Sequence, residues 1–401
     1  SFPQRLRHDV VNNVGDQFDD MMSDVMSELE AINKFEGINA LHLDETEKYP
    51  EKNGALPEKQ FLHRNSVLTD LYEIKHFRTI YNFFIVILII LSINTAIYDL
   101  LLVVMKHTVV ILTEETRMVM KMHAFVRSAA PIAIAYKPHT EGKEFVFPGF
   151  SKFLYFMFAP TLIYRDSYPR TKEIRWRFAL WHFTEVALVI FNMAFLFERF
   201  LLPPFEEFGK HPFDVRNFIL AVYGSSCPGM LVFLSGFYCL LHAWMNAAAE
   251  VMRFGDRLFY KDWWNSTAYA TYYRHWNVVV HDWLYTYIYK DIYEIVTSGN
   301  RTISMFAVFF VSSLFHEYIL AFTFGFFFPV SIGMFGVVGY ALVFLIRTSH
   351  ASGNMFLLFS LTTGFGTMIS LYAMEYFARV NCPRFNDGIV DFFIPRSFFC
   401  F

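Results

Sequence analysis

Long runs of apolar residues, separated by shorter polar stretches, fill most of the chain after residue 78. A helix needs about 20 apolar residues to cross the hydrocarbon core of a bilayer. Such a run predicts a helix, because in lipid the backbone must satisfy its own hydrogen bonds. The run 331–346 is shorter but apolar throughout, and we expect it to span as well. The predicted long spans are 79–104, 178–202, 217–245, 302–329 and 353–377.

Two further segments show a weaker apolar pattern. The stretch 276–297 alternates aromatic and polar residues, which is typical of an amphipathic or half-buried helix. The stretch 152–164 is apolar but short, and predicts an interfacial or re-entrant piece. The expected fold class is therefore all-α, a polytopic membrane helical bundle.

The first 70 residues are polar and acidic, and we expect a cytosolic segment here, ahead of a membrane-embedded domain at 71–401. Five apolar positions recur with 4,3,4,3 spacing between acidic residues, a pattern of about two heptads. This stripe predicts either an oligomerisation helix or a helix that packs on its own chain. Residues 36–65 are typical of a linker. The stripe consists of Phe18, Met22, Val25, Leu29 and Ile32.

Loop charges predict which side of the membrane each segment faces. Lysine and arginine are frequent in 105–177 and in 246–301, which predicts that both are cytosolic. The mildly acidic loop 203–214 and the tail 378–401 then face the lumen. One conflict remains. A single predicted span separates the N-terminal segment from 105–177, although both are predicted to be cytosolic.

Composition agrees with a membrane protein. The chain is 55% hydrophobic and only 18% charged, below the quarter that soluble domains usually carry. The net charge of −3 gives no basic excess for nucleic acid, so no nucleic-acid partner is expected. Two of the four cysteines, Cys382 and Cys400, lie in the tail and can pair if that tail faces an oxidising lumen.

An ionisable pair, His316 and Glu317, interrupts the apolar run 302–329. Such groups are costly in a bilayer and usually face a cavity or a polar partner. A zinc-binding HExxH motif that began at His316 would need a second histidine at position 320. That residue is Leu320, which argues against a metal site. Ser312 lies one turn earlier on the same helix face. The pattern favours either a general base that deprotonates a hydroxyl, or a histidine satisfied by a polar neighbour.

The stretch 259–290 is dense in Trp, Tyr, Arg, Asn, His and Lys. Arginine forks bind phosphate and aromatic rings offer stacking surfaces, so this composition suits a nucleotide-bearing ligand. An aromatic belt at the membrane interface is the alternative. The chain has no glycine-rich phosphate loop, GxSxG elbow or paired CxxC. That pattern favours direct attack by an acceptor hydroxyl, with neither cofactor nor metal.

These motifs resemble the membrane-bound O-acyltransferase family, and within it the sterol-esterifying enzymes. The resemblance rests on FYKDWWN at 259–265, FAPTLIYRDSYPR at 158–170, YYRHWNVVVHDWLY at 272–285 and the intramembrane His316. It implies that His316 is the catalytic histidine and that Asn277 is its active-site partner. It further implies a Cys382–Cys400 disulfide and a link between His76 and sterol binding. The implied acyl-CoA-binding residues are Thr271, Arg274, Asn277, His281, Tyr289, Arg301 and Ser312.

The resemblance also bears on topology and partners. The family has nine spans, and about three of them are missing between residues 103 and 109, which removes the conflict in sidedness. The implied reaction transfers a long-chain acyl group from acyl-CoA, a substrate rather than a cofactor, to a sterol. It implies a multi-pass protein of the endoplasmic reticulum membrane, in contact with membrane lipid, that forms a homo-oligomer (dimer or tetramer). Three alternatives stay open: another acceptor such as diacylglycerol, a shortened inactive subunit, and a transporter or lipid-binding scaffold.

Overall fold

The computed structural model describes residues 59–72, 107–135, 148–346, 350–384 and 389–400, together with a few positions between 78 and 89. Regular structure in these residues is helical, and the expected all-α class is confirmed. The acidic heptad stripe, His76 and nearly all of the predicted span 79–104 lie outside the described residues. By contacts the chain divides into two units, Ser1–Pro57 with Val67–Asn82, and Glu58–Ser66 with Phe83–Phe401. The first unit contains helix α1 (Val67–Leu71) and a Tyr72–Tyr81 ring contact at 4.5 Å.

Four helices of the second unit are long and apolar enough to cross a membrane, and the shorter apolar helix Ile332–Leu345 follows the third of them. All five correspond to predicted runs. We call the α-helical parts α4 (Trp176–Leu196), α5 (Val215–Phe237), α9 (Arg301–Phe324), α10 (Tyr340–Leu345) and α11 (Ala351–Asn381). π-Helical turns extend α4 and α5 and precede α10, at Phe197–Leu201, Tyr238–Trp244 and Ile332–Gly339.

The remaining helices are short or lie between the spans. The amphipathic stretch 276–297 forms a series of helical segments, in agreement with its pattern. The short run 152–164 forms one helix and a loop. The helices are α2 (His107–Ala135), α3 (Phe150–Phe158), α6 (Met245–Val251), α7 (Tyr269–Trp276), α8 (Val278–Leu284) and α12 (Ile389–Phe393), with π-helical turns at Tyr285–Tyr289 and Ile292–Val296.

Helix α2, 29 residues long, was not predicted, because its charged residues interrupt the apolar run. Its buried Lys121 donates from Nζ to the carbonyls of Phe156 and Ala159, each at 2.6 Å. Arg117 donates to the Met157 carbonyl at 2.9 Å. Carbonyls at a helix C-terminus have no partner within their own helix, and cations are favourable there. Burial lowers the pKa of Lys121 to about 6. Two basic side chains of α2, Arg117 and Lys121, thus hold the end of α3 through hydrogen bonds to its carbonyls.

Helices α5 and α11 approach closely enough for backbone to touch backbone. A Cβ added at Gly366 would lie 2.5 Å from Ser226 Cα and 2.9 Å from Ser226 N. A Cβ at Gly229 would lie 3.3 Å from the Gly366 N. Small residues allow such an approach and provide packing where lipid supplies no hydrophobic drive between helices.

We therefore expect Gly366→Ala to destabilise the protein by about 1–3 kcal/mol, the usual cost of overpacking. The matched control is Gly364→Ala on the same helix, where the nearest atom, Met334 Cε, is 3.9 Å from the added Cβ. That change should be neutral or stabilising, because alanine favours a helix over glycine by roughly 0.5–1 kcal/mol. Thermal unfolding in detergent, followed by size-exclusion chromatography, compares the two. Equal melting temperatures would contradict the close contact.

The C-terminal tail is fixed by a covalent and a polar contact. Cys382 and Cys400 form a disulfide with their Cα atoms 6.0 Å apart, which confirms the expected pairing. Arg396 donates to both carboxylate oxygens of Asp391, at 2.9 and 2.6 Å. The side of the membrane on which this tail lies stays a prediction.

Candidate active site

His316 lies in α9, and its position on the helix decides its chemistry. Its Nδ1 is 2.7 Å from the main-chain carbonyl oxygen of Ser312, one turn earlier. A carbonyl can only accept, so Nδ1 carries the proton of the neutral ring. Nε2 is then the unprotonated nitrogen, which is the arrangement required of a general base. Ser312 thus orients the imidazole through its carbonyl, whereas the sequence pointed only to a shared helix face.

The side chain of His316 is exposed in this chain, and its ring lies 5.5 Å from Phe335 in the π-helical turn before α10. The same phenylalanine contacts Tyr273 of α7 at 5.6 Å. Phe335 therefore joins His316 to α7, which contains the predicted acyl-CoA residues Thr271 and Arg274. Gly339 permits this packing, because a Cβ there would overlap the Tyr273 hydroxyl at 2.4 Å.

Glu317, adjacent to His316, faces the opposite way and is only 1% exposed. Tyr372 of α11 donates to both carboxylate oxygens at 3.1 Å, and the Ser331 N–H donates to one of them at 3.1 Å. These bonds satisfy a buried acid that would otherwise be very unfavourable. Glu317 therefore joins α9 to α11 and to the start of the next span, while His316 remains available.

Asn277 separates α7 from α8 and is held by backbone on both sides. The Lys261 N–H donates to the His275 carbonyl, and the Val278 N–H donates to the Phe259 carbonyl, both at 2.9 Å. The Asn277 Oδ1 accepts the Val280 N–H at 3.1 Å and so caps α8. That bond fixes the amide with its NH₂ group as the remaining polar group, a donor suited to a developing oxyanion. No hydrogen bond joins Asn277 to His316 in the described structure.

The FYKDWWN motif folds mostly as core. Trp263 is 2% exposed and packs against Trp276 at 4.9 Å and Phe237 at 5.3 Å. Phe233 of α5 stacks on Trp276 at 4.3 Å. Burial lowers the pKa of the neighbouring His275 to about 4, which keeps that ring neutral. These aromatics fix the position of Asn277 and do not offer a stacking surface themselves.

The predicted acyl-CoA residues lie on α7, on α8, on the π-helical turn Tyr285–Tyr289 and on α9, with Asn277 between α7 and α8. Thr271 and Arg274 are on α7, with Arg274 exposed and donating to the Ala270 carbonyl at 3.1 Å. Arg301 begins α9 and is exposed. Their roles, like that of the sterol-linked His76, stay predictions.

His281 and Tyr289 belong to a series of stacked rings. His281, Tyr285, Tyr289 and Tyr293 recur every four residues, with successive centroids 6.3, 5.6 and 5.8 Å apart and planes within 16° of parallel. We call these four residues the ring ladder. Tyr285 and Tyr293 were not among the predicted site residues, although their four-residue spacing in a helical segment could have indicated them. Burial raises the pKa of Tyr285 to about 12, so its hydroxyl stays protonated and able to donate.

The sequence model of the membrane-bound O-acyltransferase family matches residues 83–374, more than half of the chain. The chain belongs to the membrane-bound O-acyltransferase family. Its four helices of membrane-spanning length among the described residues and its match to that family identify a multi-pass membrane protein.

This chain is also similar to individual proteins. Sterol O-acyltransferase 1 of Mus musculus is 41% identical over 293 residues, which are 73% of this chain and 54% of the mouse protein. Sterol O-acyltransferase 2 of Homo sapiens is 39% identical over 293 residues, which are 73% of this chain and 56% of the human protein. The chain spans about half the length of the curated relatives it matches.

Proposed function

We propose that this protein transfers a long-chain fatty acyl group from acyl-CoA to the hydroxyl of a sterol, giving a sterol ester within the membrane. The observation that carries the proposal is the orientation of His316, whose Nδ1 proton is held by the Ser312 carbonyl so that Nε2 is basic. The family match supports acyl transfer to oxygen. The names of the relatives support a sterol as the acceptor.

The reaction requires one base and one group that stabilises negative charge. His316 Nε2 takes the proton of the sterol hydroxyl while the oxygen attacks the thioester carbonyl. The Asn277 NH₂ stabilises the resulting oxyanion. The C–S bond then breaks, the carbonyl reforms, and the imidazolium returns its proton to the sulfur, releasing CoA as a thiol. Holding both substrates in one site supplies much of the rate, because a bimolecular step becomes intramolecular.

The polar segment 271–301 and the apolar spans suit different substrates of the proposed reaction. The arginines and the ring ladder on 271–301 suit the phosphates and the base of CoA. The apolar spans suit the acyl chain and the sterol, which reach the site through lipid. We further propose residence in the endoplasmic reticulum membrane and assembly into a homo-oligomer, as the resemblance implies.

An acyl-transfer assay on the purified protein in detergent tests this function. Labelled oleoyl-CoA is supplied with cholesterol, with diacylglycerol or with a long-chain alcohol. We expect the sterol ester to be the main product. Ester formation only with another acceptor would replace the sterol in the proposal. Because the matched part of this chain spans only about half the length of its relatives, the same assay is repeated with a full-length relative added. Activity only in the mixture would make this chain a subunit.

A further inference from the structure

The segment 59–66, nearly all of it predicted as a linker, is held against the rest of the second unit by side-chain contacts at both of its ends. Ser66 accepts a hydrogen bond from Asn246 at 3.0 Å, between two buried side chains. Arg64 Nε donates to the buried Asp256 at 2.8 Å. At the other end, Lys59 contacts Asp282, which is next to the predicted acyl-CoA residue His281. We call this segment the strap.

Lys59 forms an ion pair with Asp282 of α8, although 223 positions separate them. The Nζ–Oδ2 distance is 2.5 Å, and the two side chains are 14% and 20% exposed. Burial alone would raise the pKa of Asp282, but Lys59 and the adjacent His281 outweigh it and hold that pKa below its usual value. Asp282 is therefore a carboxylate, and Lys59 is its main counter-charge.

Asp282 uses its second oxygen toward the ring ladder. Its Oδ1 lies 3.6 Å from Nδ1 of His281, the first ring of that ladder. That separation is longer than a hydrogen bond, so the carboxylate acts on His281 through its charge. Lys59, Asp282 and His281 thus form a charge relay, in which Lys59 bonds to Asp282 and the Asp282 carboxylate lies beside the His281 ring.

The charge of this relay matters because CoA is strongly anionic. A carboxylate without a counter-charge beside His281 would repel the ligand's phosphates across a partly buried face, where screening by salt is weak. Lys59 reduces that repulsion by pairing with the carboxylate. Its ammonium is held on Asp282 and lies 5.2 Å from the Phe61 ring centroid, so its place is already set by the strap.

We infer that Lys59 is a positioning residue for the acyl-CoA donor: it neutralises the Asp282 carboxylate, which would otherwise repel the anionic donor beside His281. The inference rests on the proposed function, in which His281 lies on the donor's binding face. It assigns the strap a role in donor affinity, not in the chemical step.

The test compares Lys59→Met, Lys59→Arg, Asp282→Asn and the double variant Lys59→Met/Asp282→Asn in the full chain. Binding of oleoyl-CoA without acceptor is measured by calorimetry, and KM and kcat are measured in the transfer assay. Lys59→Met should raise Kd and KM for oleoyl-CoA about tenfold, with kcat nearly unchanged, because the Asp282 carboxylate loses its main counter-charge. Lys59→Arg should restore binding, and the double variant should bind better than Lys59→Met alone.

The outcomes separate this inference from the proposed function. Wild-type Kd for Lys59→Met, or a double variant no better than the single one, would overturn the inference while leaving acyl transfer intact. A loss of kcat with unchanged KM would also overturn it. Wild-type protein that fails to bind oleoyl-CoA would instead overturn the donor assignment. Lys210→Met, at an exposed Lys210–Glu207 pair, is the control and should change neither constant.

Discussion

Replacing His316 by alanine is expected to reduce acyl transfer by about 10²–10⁴-fold, the usual contribution of a general base. The loss should fall on kcat, because the imidazole acts on the acceptor proton and not on the donor's headgroup. The fold should survive, since the ring is exposed and its described hydrogen bond stays within its own helix. Initial rates of ester formation and the melting temperature in detergent measure the two effects.

His211→Ala is the matched control for His316. His211 lies in the loop 203–214 with its side chain 78% exposed, so its removal should leave both rate and melting temperature unchanged. Oleoyl-CoA binding by His316→Ala should remain close to wild type. A variant that keeps normal turnover would exclude His316 as the base. A variant that melts much earlier would instead make His316 a structural residue.

Replacing Glu250 by alanine should destabilise the protein by about 3–5 kcal/mol, the cost of leaving a buried charge without its partner. Glu250 is fully buried in the continuous helical span Val215–Val251. Arg175 donates to it from its main chain at 2.7 Å and from its guanidinium at 3.0 and 2.8 Å. Arg257, only 2% exposed, donates at 2.7 Å. Without Glu250, the charge of Arg257 stays buried and uncompensated.

The double variant Glu250→Ala/Arg257→Met distinguishes a lost charge pair from a lost packing contact. It should be more stable than Glu250→Ala, because the orphaned charge is removed. Arg127→Ala is the control at a more exposed pair with Asp291, where roughly 0–1 kcal/mol is expected. Thermal unfolding in detergent ranks the variants. A Glu250→Ala protein that melts with the wild type would show that the buried pair adds no net stability.

Local signals in the sequence were sufficient for the spans that lie among the described residues. The run 217–245 lies within the observed span Val215–Val251, and 353–377 lies within Ala351–Asn381. The apolar pattern did not predict the 29-residue helix α2, because charged residues interrupt its apolar run. Lys121 is tolerated there because carbonyls of α3, 35 and 38 positions later, accept its hydrogen bonds. No pattern among the residues near Lys121 in sequence predicts hydrogen-bond acceptors that lie so far along the chain.

The candidate site divides in the same way. The ring orientation of His316 follows from a contact with Ser312 one helical turn earlier. It can therefore be predicted once the segment is known to be a helix. The aromatic residues of FYKDWWN could have faced a ligand or the core, and only packing against α5 decided for the core. Composition counts rings but does not say what surrounds them, because burial depends on elements distant along the chain.

The sequence by itself determined that this protein crosses a membrane several times and that a titratable histidine lies inside one span. The physical reason is local, since backbone in lipid must bond within its own segment and apolar length alone settles where that occurs. Only the tertiary structure decided which charges compensate one another, as Lys59 does for Asp282 and Arg175 for Glu250. Ion pairing depends on distance in space, and a chain folded into packed helices brings together residues that its order keeps far apart.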